Sequence, residues 1–396
     1  VFSSDSPEQE QHQTRLATGM GHSRIPFNRS VLMPEMRTNM LRALENRDGF
    51  GLGPFGREAE TILAGQFPGW DVLLTTSATH SLELGSWLVD WPAGGEIIVP
   101  DFTFVTSVLP FVLRGLKPVF VDVKAGDLNI DPALVRSAIT PRTEALLATN
   151  YGGFGADFPL LREIADEYGL GLIEDNAQGL GGHYLGKPLG TWGDWSCISF
   201  HSTKNVSCGE GGAFLYPLEH DFSRDPQVLR DKGTNRHDFE YGKVSMYSWI
   251  GVGSSWAPSD YLCALLPPQL RFLEEITARR RERWQRYASS LSDWARTNEF
   301  KLSERSDHID ASCHIFYLVA PSAPEAGRLR KHLAGLGVDA VPHYQSLASS
   351  SMGKSAGRAG SDLTVSKEAS SRLLRLPNWD LDELAQERVI DAVLSS

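Results

Sequence analysis

The chain has 396 residues, which is enough for roughly two domains. Its formal net charge of −11 argues against nucleic acid as the main partner. No apolar run approaches the ~18 residues needed to span a bilayer, so we expect no membrane partner. The four cysteines are widely spaced, which predicts reduced thiols of a cytoplasmic protein and neither a disulfide framework nor a metal site.

The N-terminal part divides into a leader, two helices and a glycine-rich loop. Residues 1–24 are polar and contain no apolar signal core, so we interpret them as a flexible leader. Helical spacing of apolar residues predicts helices at 35–46 and 57–66. Between them, residues 49–56 contain four glycines and a proline, which predicts a mobile loop.

From residue 70 onward, short apolar strands alternate with helical patterns. This alternation is typical of βαβ units and predicts a mainly parallel sheet that helices cover on both faces. The predicted strands are 70–75, 96–100, 117–123, 144–149, 170–174, 195–200 and 212–216. The predicted helices between them are 79–90, 103–114, 132–138 and 158–168.

The pattern changes after about residue 262. Pro267 and Pro268 are expected to break the chain, and a long helix is predicted from about 269 to 291. A strand at 313–319, a helix at 324–335, a strand at 337–341 and two terminal helices follow, with a loose loop at 346–361. We therefore expect an α/β protein with a large domain at 25–262 and a smaller C-terminal α+β domain at 263–396.

Lys204 is the first candidate catalytic residue. It lies between a strand-like run and the glycine-rich turn 208–212. A lysine held near an apolar pocket loses solvation, so its pKa falls and its amine becomes a nucleophile for carbonyls. A single lysine in a loop usually lies on the surface. A catalytic role for Lys204 therefore depends on which other residues the sequence places near it.

Two other strand ends supply matching residues. Residues 75–80 (TTSATH) end a strand and open a helix, whose N-terminal amides suit a phosphate, although simple N-capping is an alternative. Asp175 ends an apolar strand, where a carboxylate needs a cationic partner such as a protonated ring nitrogen. Its alternative role is an ion pair or a helix cap. Lys204, Asp175 and the helix N-terminus at 75–80 could together bind the aldehyde, the ring nitrogen and the phosphate of pyridoxal 5'-phosphate.

Five segments resemble the DegT/DnrJ/EryC1/StrS family of sugar-nucleotide aminotransferases, which are fold-type I pyridoxal-phosphate enzymes. The similarity extends from about Ile25 to the C-terminus. The segments are 100–105 (PDFTFV), 121–123 (VDV), 174–178 (EDNAQ), 199–205 (SFHSTKN) and 209–212 (GEGG). Within the family, residues 230–236 (RDKGTNR) and 253–255 (GSS) look most like the transaminases that act on dTDP-4-keto-6-deoxyglucose.

The resemblance implies a role for each residue that would hold the cofactor. Lys204 would form the covalent imine with its aldehyde and then carry the proton, and Asp175 would keep the ring nitrogen protonated. Gln178 would contact the hydroxyl side of the ring, and Phe104 would stack on its face. The phosphate would be held by three groups, namely Thr79, the His80 amide and Ser199.

The resemblance also implies the reaction and the assembly. L-Glutamate would donate an amino group, which the enzyme would pass to C4 of a dTDP-4-keto sugar, either a 6-deoxyhexose or a pentose. Family members are homodimers whose active sites borrow residues from the partner, and the segments 232–236 and 254–260 are candidates to cross over. Asn235, Arg236 and His343 would contact the substrate, although an ordinary interface or surface role fits Asn235 and Arg236 equally well.

Two departures from the family pattern and three competing functions accompany this interpretation. Asn176 replaces the usual alanine, which predicts an added hydrogen bond near the ring, and Ala348 replaces a second histidine.

A deoxygenating relative that removes a sugar hydroxyl would carry histidine at position 204. A non-catalytic cofactor sensor would need a DNA-binding module. A Rossmann dehydrogenase would need G-x-G-x-x-G in its first βα unit.

Overall fold

Fourteen β-strands can be assigned in the part of the chain that the computed structural model describes, residues 24–46, 51–304 and 309–396. Residues 1–23, 47–50 and 305–308 lie outside these ranges, and with them most of the expected leader at 1–24 and the first two residues of the loop predicted at 49–56. The strands are β1 (Trp70–Thr75), β2 (Glu96–Pro100), β3 (Lys117–Val121), β4 (Thr143–Thr149), β5 (Gly171–Asp175), β6 (His183–Tyr184), β7 (Lys187–Pro188), β8 (Trp195–Ser199), β9 (Gly212–Pro217), β10 (Lys301–Leu302), β11 (Ile309–Asp310), β12 (Phe316–Val319), β13 (Arg358–Ala359) and β14 (Leu373–Leu376).

Eight of these strands form one large sheet in the order β1-β9-β8-β5-β4-β2-β3-β13. Only β9 runs against its neighbours, because it pairs antiparallel with both β1 and β8. The central strands are buried along almost their whole length, as expected for a sheet covered on both faces. The predicted α/β class with a mainly parallel sheet is confirmed.

Helices connect and cover the strands. The α-helices are Pro34–Glu45, Pro54–Gln66, Ala78–Trp87, Leu109–Leu113, Pro132–Ala138, Phe158–Tyr168, Pro226–Arg230, Arg236–Glu240, Asp260–Cys263, Leu266–Arg271, Leu273–Thr297, Ala323–Gly335, Ser351–Ala356, Thr364–Arg372 and Glu383–Leu394. Across the described ranges, none of these helices is both long enough and apolar enough to cross a bilayer.

The C-terminal part has its own sheet and core. Strands β10, β12 and β14 form a three-stranded antiparallel sheet. Trp284 and Tyr287 of the helix Leu273–Thr297 pack on Phe316 of β12, with ring centroids 5.5 Å and 5.1 Å apart. The division into a large domain at 25–262 and a small domain at 263–396 stays a prediction.

Two helix predictions need correction. The single helix at 103–114 is instead a 3₁₀ turn, Val105–Ser107, followed by the short helix Leu109–Leu113. Pro110 lacks an amide hydrogen, so it starts a new helix more readily than it continues one. For the same reason Pro267 and Pro268 lie in the first turn of the helix Leu266–Arg271 and do not break the chain.

Two C-terminal predictions also need correction. Residues 337–341 form no strand, only single bridges from Val338 to Ile25 and from Val341 to Arg375. The supposed loose loop at 346–361 is ordered, because Ser350 caps the helix Ser351–Ala356 and β13 then joins the edge of the large sheet beside β3. The helix predicted at 57–66 begins earlier, at Pro54.

Candidate active site

A cavity of about 640 Å³ lies at the carboxyl edge of the large sheet. Strands β1, β5 and β8 run in the same direction, so their last residues meet at this edge. Seven of the residues singled out in the sequence line the cavity. They are Thr79, Phe104, Asp175, Gln178, Ser199, Lys204 and His343.

Lys204 lies in a tight turn directly after β8. Its backbone N–H donates to the carbonyl of His201 at 2.9 Å, which fixes the turn. Burial lowers the pKa of the Lys204 amine to about 8, and the charge of Asp175 opposes part of that shift. At pH 7 roughly a tenth of this amine is therefore uncharged and nucleophilic, far more than in a lysine of ordinary pKa.

Asp175 is buried at the end of β5 and is held by three donors. Oδ2 accepts a hydrogen bond from Ser107 Oγ at 2.6 Å. Oδ1 accepts from the Ala177 amide at 3.0 Å and from Cys197 Sγ at 3.4 Å. These donors stabilise the ionised carboxylate, and Asp175 has no Lys or Arg ion-pair partner in the described part of the chain.

The N-terminus of the helix Ala78–Trp87 forms one end of the cavity. Ser77 caps this helix, because its Oγ accepts from the His80 amide at 3.1 Å. The amides of Ala78 and Thr79 come first in the helix and have no carbonyl of their own helix to bind. They are therefore available to an anion such as a phosphate, which the helix dipole also favours.

Gly212 allows β9 to pass close to this helix end. A Cβ at residue 212 would lie 2.4 Å from both the Ala78 nitrogen and the carbonyl carbon of Ser77. Such a contact is too short for any side chain, so only glycine fits here. The glycine-rich segment 209–212 thus has a physical role in shaping the phosphate end of the cavity.

Gln178 is fixed at the opposite wall. Its Oε1 accepts from the Gly152 amide at 2.9 Å, and its Nε2 donates to the Tyr344 hydroxyl at 3.0 Å. The neighbouring His343 lies 2.7 Å from the hydroxyl of Tyr151 through Nδ1. Burial lowers the pKa of His343 well below its ordinary value, so this imidazole is neutral.

Phe104 lies at the mouth of the cavity and is 51% exposed. Its ring centroid is 5.9 Å from that of Tyr344, and the two planes are tilted by 37°. An apolar face that remains accessible beside Asp175 and Lys204 is available for stacking by a planar ligand.

Three predicted site residues are not brought to this cavity by their side chains. The His80 ring contacts Thr76 Oγ1 through Nδ1, and the residue's amide is occupied by the cap of Ser77. Asn235 exchanges hydrogen bonds with Ser248, and Arg236 pairs with Glu240 at 2.6 Å. Asn235 and Arg236 lie in the segment that we expected to cross to a partner chain.

The sequence analysis missed several residues of the cavity wall, among them three from the C-terminal part of the chain, and its prediction for Asn176 needs correction. Tyr344, His314 and Arg375 all line the cavity. Arg375 carried a signal, because a charged residue interrupts the apolar run 373–376. The prediction for Asn176 was wrong, since its side chain is fully buried and binds Asn150 and the Leu189 carbonyl, both at 2.8 Å.

The residues present fit pyridoxal phosphate. The cavity combines an amine of lowered pKa on Lys204, a buried carboxylate on Asp175 and a helix N-terminus with available amides. These three groups match the cofactor's aldehyde, its ring nitrogen and its phosphate. Within the described ranges Asp175 forms no ion pair in direct contact, and a protonated ring nitrogen would supply that partner.

Comparison with known proteins agrees with this chemistry. The DegT/DnrJ/EryC1/StrS aminotransferase family matches residues 32–394 of the chain. DesV of S. venezuelae, solved in complex with a ketimine intermediate, is 28% identical with a TM-score of 0.84, over 94% of this chain and 98% of that one.

Two further solved structures have the same fold. Spr1654 from Streptococcus pneumoniae, in its PLP form, is 22% identical with a TM-score of 0.83, over 94% of this chain and 98% of that one. The sugar aminotransferase CalS13 from Micromonospora echinospora is 23% identical with a TM-score of 0.83, over 94% of this chain and 100% of that one. The chain belongs to the DegT/DnrJ/EryC1/StrS aminotransferase family, with the fold-type I architecture and the pyridoxal phosphate cofactor of that family.

Proposed function

We propose that this protein transfers an amino group from L-glutamate to C4 of a dTDP-4-keto sugar, giving a dTDP-4-amino-4-deoxy sugar. The acceptor is a 4-keto-6-deoxyhexose or a 4-keto-pentose. The observation that carries the proposal is the presence of Lys204, with its amine of pKa about 8, in one cavity with Asp175 and a helix N-terminus. Family membership and the segments 230–236 and 253–255 support the sugar-nucleotide acceptor.

Bound pyridoxal phosphate supplies an aldehyde that takes up the amino group and a ring that stores electrons released at the reacting carbon. Lys204 Nζ holds the cofactor and, once free, carries the proton to and from the reacting carbon of each substrate. Its lowered pKa keeps a usable share of the amine uncharged near neutral pH. The Asp175 carboxylate, held by Ser107 and the Ala177 amide, maintains the proton on the ring nitrogen.

The other wall residues orient the cofactor. Phe104 provides the stacking face and Gln178 the polar contact at the ring edge. Ser199 and Thr79 supply hydroxyls for the phosphate, together with the backbone amides of Ala78 and Thr79 at the helix N-terminus. His343, neutral and adjacent to Tyr344, is the proposed contact for the sugar.

We further propose a homodimer in which Asn235 and Arg236 contact the substrate bound in the partner's cavity. The segment 239–252 carries unusually exposed apolar side chains, including Trp249 at 81% and Met246 at 70% exposed. Exposed clusters of this size usually mark a protein interface. Arg236 would then supply the cation that a sugar diphosphate requires.

The experiment uses the purified protein loaded with pyridoxal phosphate. L-Glutamate should remove the visible absorbance of the bound cofactor and release 2-oxoglutarate, and dTDP-4-keto-6-deoxyglucose should restore the absorbance. NMR of the product should show a new amine at C4, and the 4-keto-pentose nucleotide is tested in parallel. The Lys204→Ala variant should lose both steps.

The alternative functions give different results in the same assay. A product that has lost a hydroxyl without gaining an amine would contradict the proposal in favour of a deoxygenating enzyme. Cofactor binding without any response to amino donors would favour a non-catalytic sensor. The presence of lysine at position 204 supports transamination over deoxygenation.

A further inference from the structure

The N-terminal segment, residues 25–30 (IPFNRS), contacts the turn that carries Lys204 and has no role in the site described so far. Two of its side chains donate to the same acceptor, the backbone carbonyl of Ser202. Asn28 donates through Nδ2 at 2.9 Å, and Ser30 donates through Oγ at 3.0 Å. Ser202 comes two residues before Lys204, so both hydrogen bonds act on the turn that carries the catalytic amine.

The start of this segment is fixed to the C-terminal part of the chain. Ile25 precedes a proline, which favours extended backbone, and it forms a single bridge with Val338. The Ile25 amide donates to the Gly337 carbonyl at 2.8 Å. Nε1 of Trp379 donates to the Pro26 carbonyl, also at 2.8 Å. The N-terminal segment therefore joins the C-terminal part to a turn of the large sheet.

The middle of the segment lies beside the wall of the active-site cavity. The ring centroid of Phe27 is 4.5 Å from the guanidinium carbon of Arg375. A small separate cavity of about 20 Å³ is lined by residues of all three parts, among them Phe27, Asn28, Thr203, His314 and Arg375. Because this space is left between them, these side chains do not pack tightly. Hydrogen bonds therefore hold the segment against the turn.

The turn's own hydrogen bonds determine its shape but not its place in the cavity. The Lys204 amide donates to the His201 carbonyl, and the Ser202 amide donates to the Gly209 carbonyl, both at 2.9 Å. All four residues lie in the loop between β8 and β9. These bonds would therefore survive a shift of the whole turn, and contacts with other parts of the chain are needed to hold it in place.

Such contacts flank Lys204 on both sides. Before it, the Ser202 carbonyl accepts the two hydrogen bonds from the N-terminal segment. After it, Asn205 donates through Nδ2 to the Ser312 carbonyl at 3.1 Å. The lysine side chain is long and flexible, so the place of its backbone limits where the amine can lie. A misplacement of about 1 Å at a reacting group can cost ~10²-fold in rate.

We propose that Asn28 and Ser30 are positioning residues for Lys204. Through the Ser202 carbonyl they fix the turn that carries the catalytic amine, and the N-terminal segment ties this turn to the C-terminal part that supplies His343 to the cavity wall. The inference rests on the role of Lys204 in the proposed function. It does not depend on which amino donor or keto sugar is used.

The first test mixes the cofactor-free protein with saturating pyridoxal 5'-phosphate and follows the visible absorbance. This absorbance appears when Lys204 Nζ bonds to the aldehyde carbon, whose oxygen leaves as water. Each hydrogen bond lies near the surface and contributes modestly, so the double variant Asn28→Ala/Ser30→Ala is used. Its rate constant for capture should fall ~10-fold. Asn28→Ala/Ser30→Thr keeps a hydroxyl at residue 30 and should recover part of the loss.

A cofactor analogue separates the position of Lys204 from the integrity of the cavity. Pyridoxine 5'-phosphate has an alcohol in place of the aldehyde, so it can occupy the cavity but cannot bond to the lysine. Calorimetry should give the same dissociation constant for this analogue in the wild type and in the double variant. If the analogue binds more weakly by the factor that slows capture, the substitutions disturb the whole cavity and the inference is wrong.

Leu32→Ala is the matched control, because this residue follows the segment closely and is 87% exposed. It should capture the cofactor at the wild-type rate, and melting temperatures should show that every variant is folded. A double variant that captures the cofactor as fast as Leu32→Ala would overturn the inference.

Hydrogen exchange of the cofactor-free protein tests the link to the C-terminal part. The double variant should speed exchange in the peptide that contains Ser202 and Lys204. Trp379→Phe keeps an aromatic ring but removes the donor to the Pro26 carbonyl, and it should speed exchange in the same peptide although it does not touch the turn. Unchanged exchange in Trp379→Phe would contradict the tie between the turn and the C-terminal part.

The donor half-reaction adds a kinetic test. With L-glutamate, the double variant of the loaded protein should show a lower maximal rate constant and an unchanged apparent dissociation constant, because the amine and not the donor is misplaced. A weaker apparent affinity at an unchanged maximal rate would overturn the inference. If the wild type does not respond to L-glutamate at all, the proposed function fails, while cofactor capture and hydrogen exchange still decide the role of Asn28 and Ser30.

Discussion

The lowered pKa of Lys204 predicts a pH-dependent stability difference in the cofactor-free protein. In the folded chain this pKa falls from 10.5 to about 8. One pKa unit corresponds to about 1.4 kcal/mol, so keeping a protonated Lys204 buried costs roughly 3 kcal/mol of folding free energy. Replacing Lys204 by Met removes that cost, and we expect the variant to be more stable than the wild type at pH 7.

The sign of the pH dependence follows from proton binding. Between pH 8 and 10.5 the unfolded chain keeps a proton on Lys204 that the folded chain has released. Wild-type stability therefore gains from this group as the pH rises through the window, and the advantage of Lys204→Met shrinks. Below pH 8 the Lys204→Met variant has its full stability advantage over the wild type. Above pH 10.5 the two proteins differ in stability only through side-chain packing.

Urea unfolding of both proteins from pH 6.5 to 10, at one protein concentration, measures this difference. Lys331→Met, at an exposed site on the helix Ala323–Gly335, controls for the loss of one surface charge. A difference between Lys204→Met and wild type that stays constant over the whole range would refute the reasoning. It would mean that the amine is protonated to the same extent in both states.

Three further changes give distinct expected outcomes. Asp175→Asn keeps the shape of the side chain but removes its charge, so turnover should fall by about 10²-fold or more while the cofactor stays bound; nearly normal kcat would contradict the role of this carboxylate. Gly212→Ala places a Cβ 2.4 Å from the Ala78 nitrogen, so the dissociation constant of the cofactor should rise at least ~10-fold in a fluorescence titration. An unchanged dissociation constant would show that the helix N-terminus adapts to the added methyl group. Trp249→Glu puts a charge in the exposed apolar segment 239–252, so sedimentation should detect monomer. The control Leu384→Glu, at a residue that is 75% exposed on another surface, should leave the dimer intact. A dimer in both variants would rule out this interface.

Much of the fold was predictable from the sequence because the buried strands are short, apolar and separated by helices. The strands β1, β2 and β8 were predicted to within one residue at either end. The parts that were missed depend on tertiary contacts. Strand β13 has only two residues and exists because β3 offers an edge to pair with, which no local pattern encodes.

The residues of the candidate site also divide into those that local sequence predicts and those that only tertiary contacts bring together. Polar residues that follow apolar strands, such as Asp175 and Lys204, could be predicted because local sequence places them at or just after the strand ends. Tyr344 and Arg375 come from the C-terminal sheet and its adjoining segment, more than 130 residues further along the chain. Their place beside Lys204 results from how the C-terminal part packs against the large sheet, so only the folded structure brings them into the same cavity.

The pairing of β13 with β3 also has a consequence for how the chain avoids self-association. Arg358 forms two hydrogen bonds with Glu96, at 3.2 Å and 2.9 Å, and so fastens this short strand over the flank of the main sheet. Without it, the backbone groups of Val119 and Phe120 would face solvent as an open template for another chain. Strand β13 thus closes this edge of the large sheet against pairing with a strand of another chain.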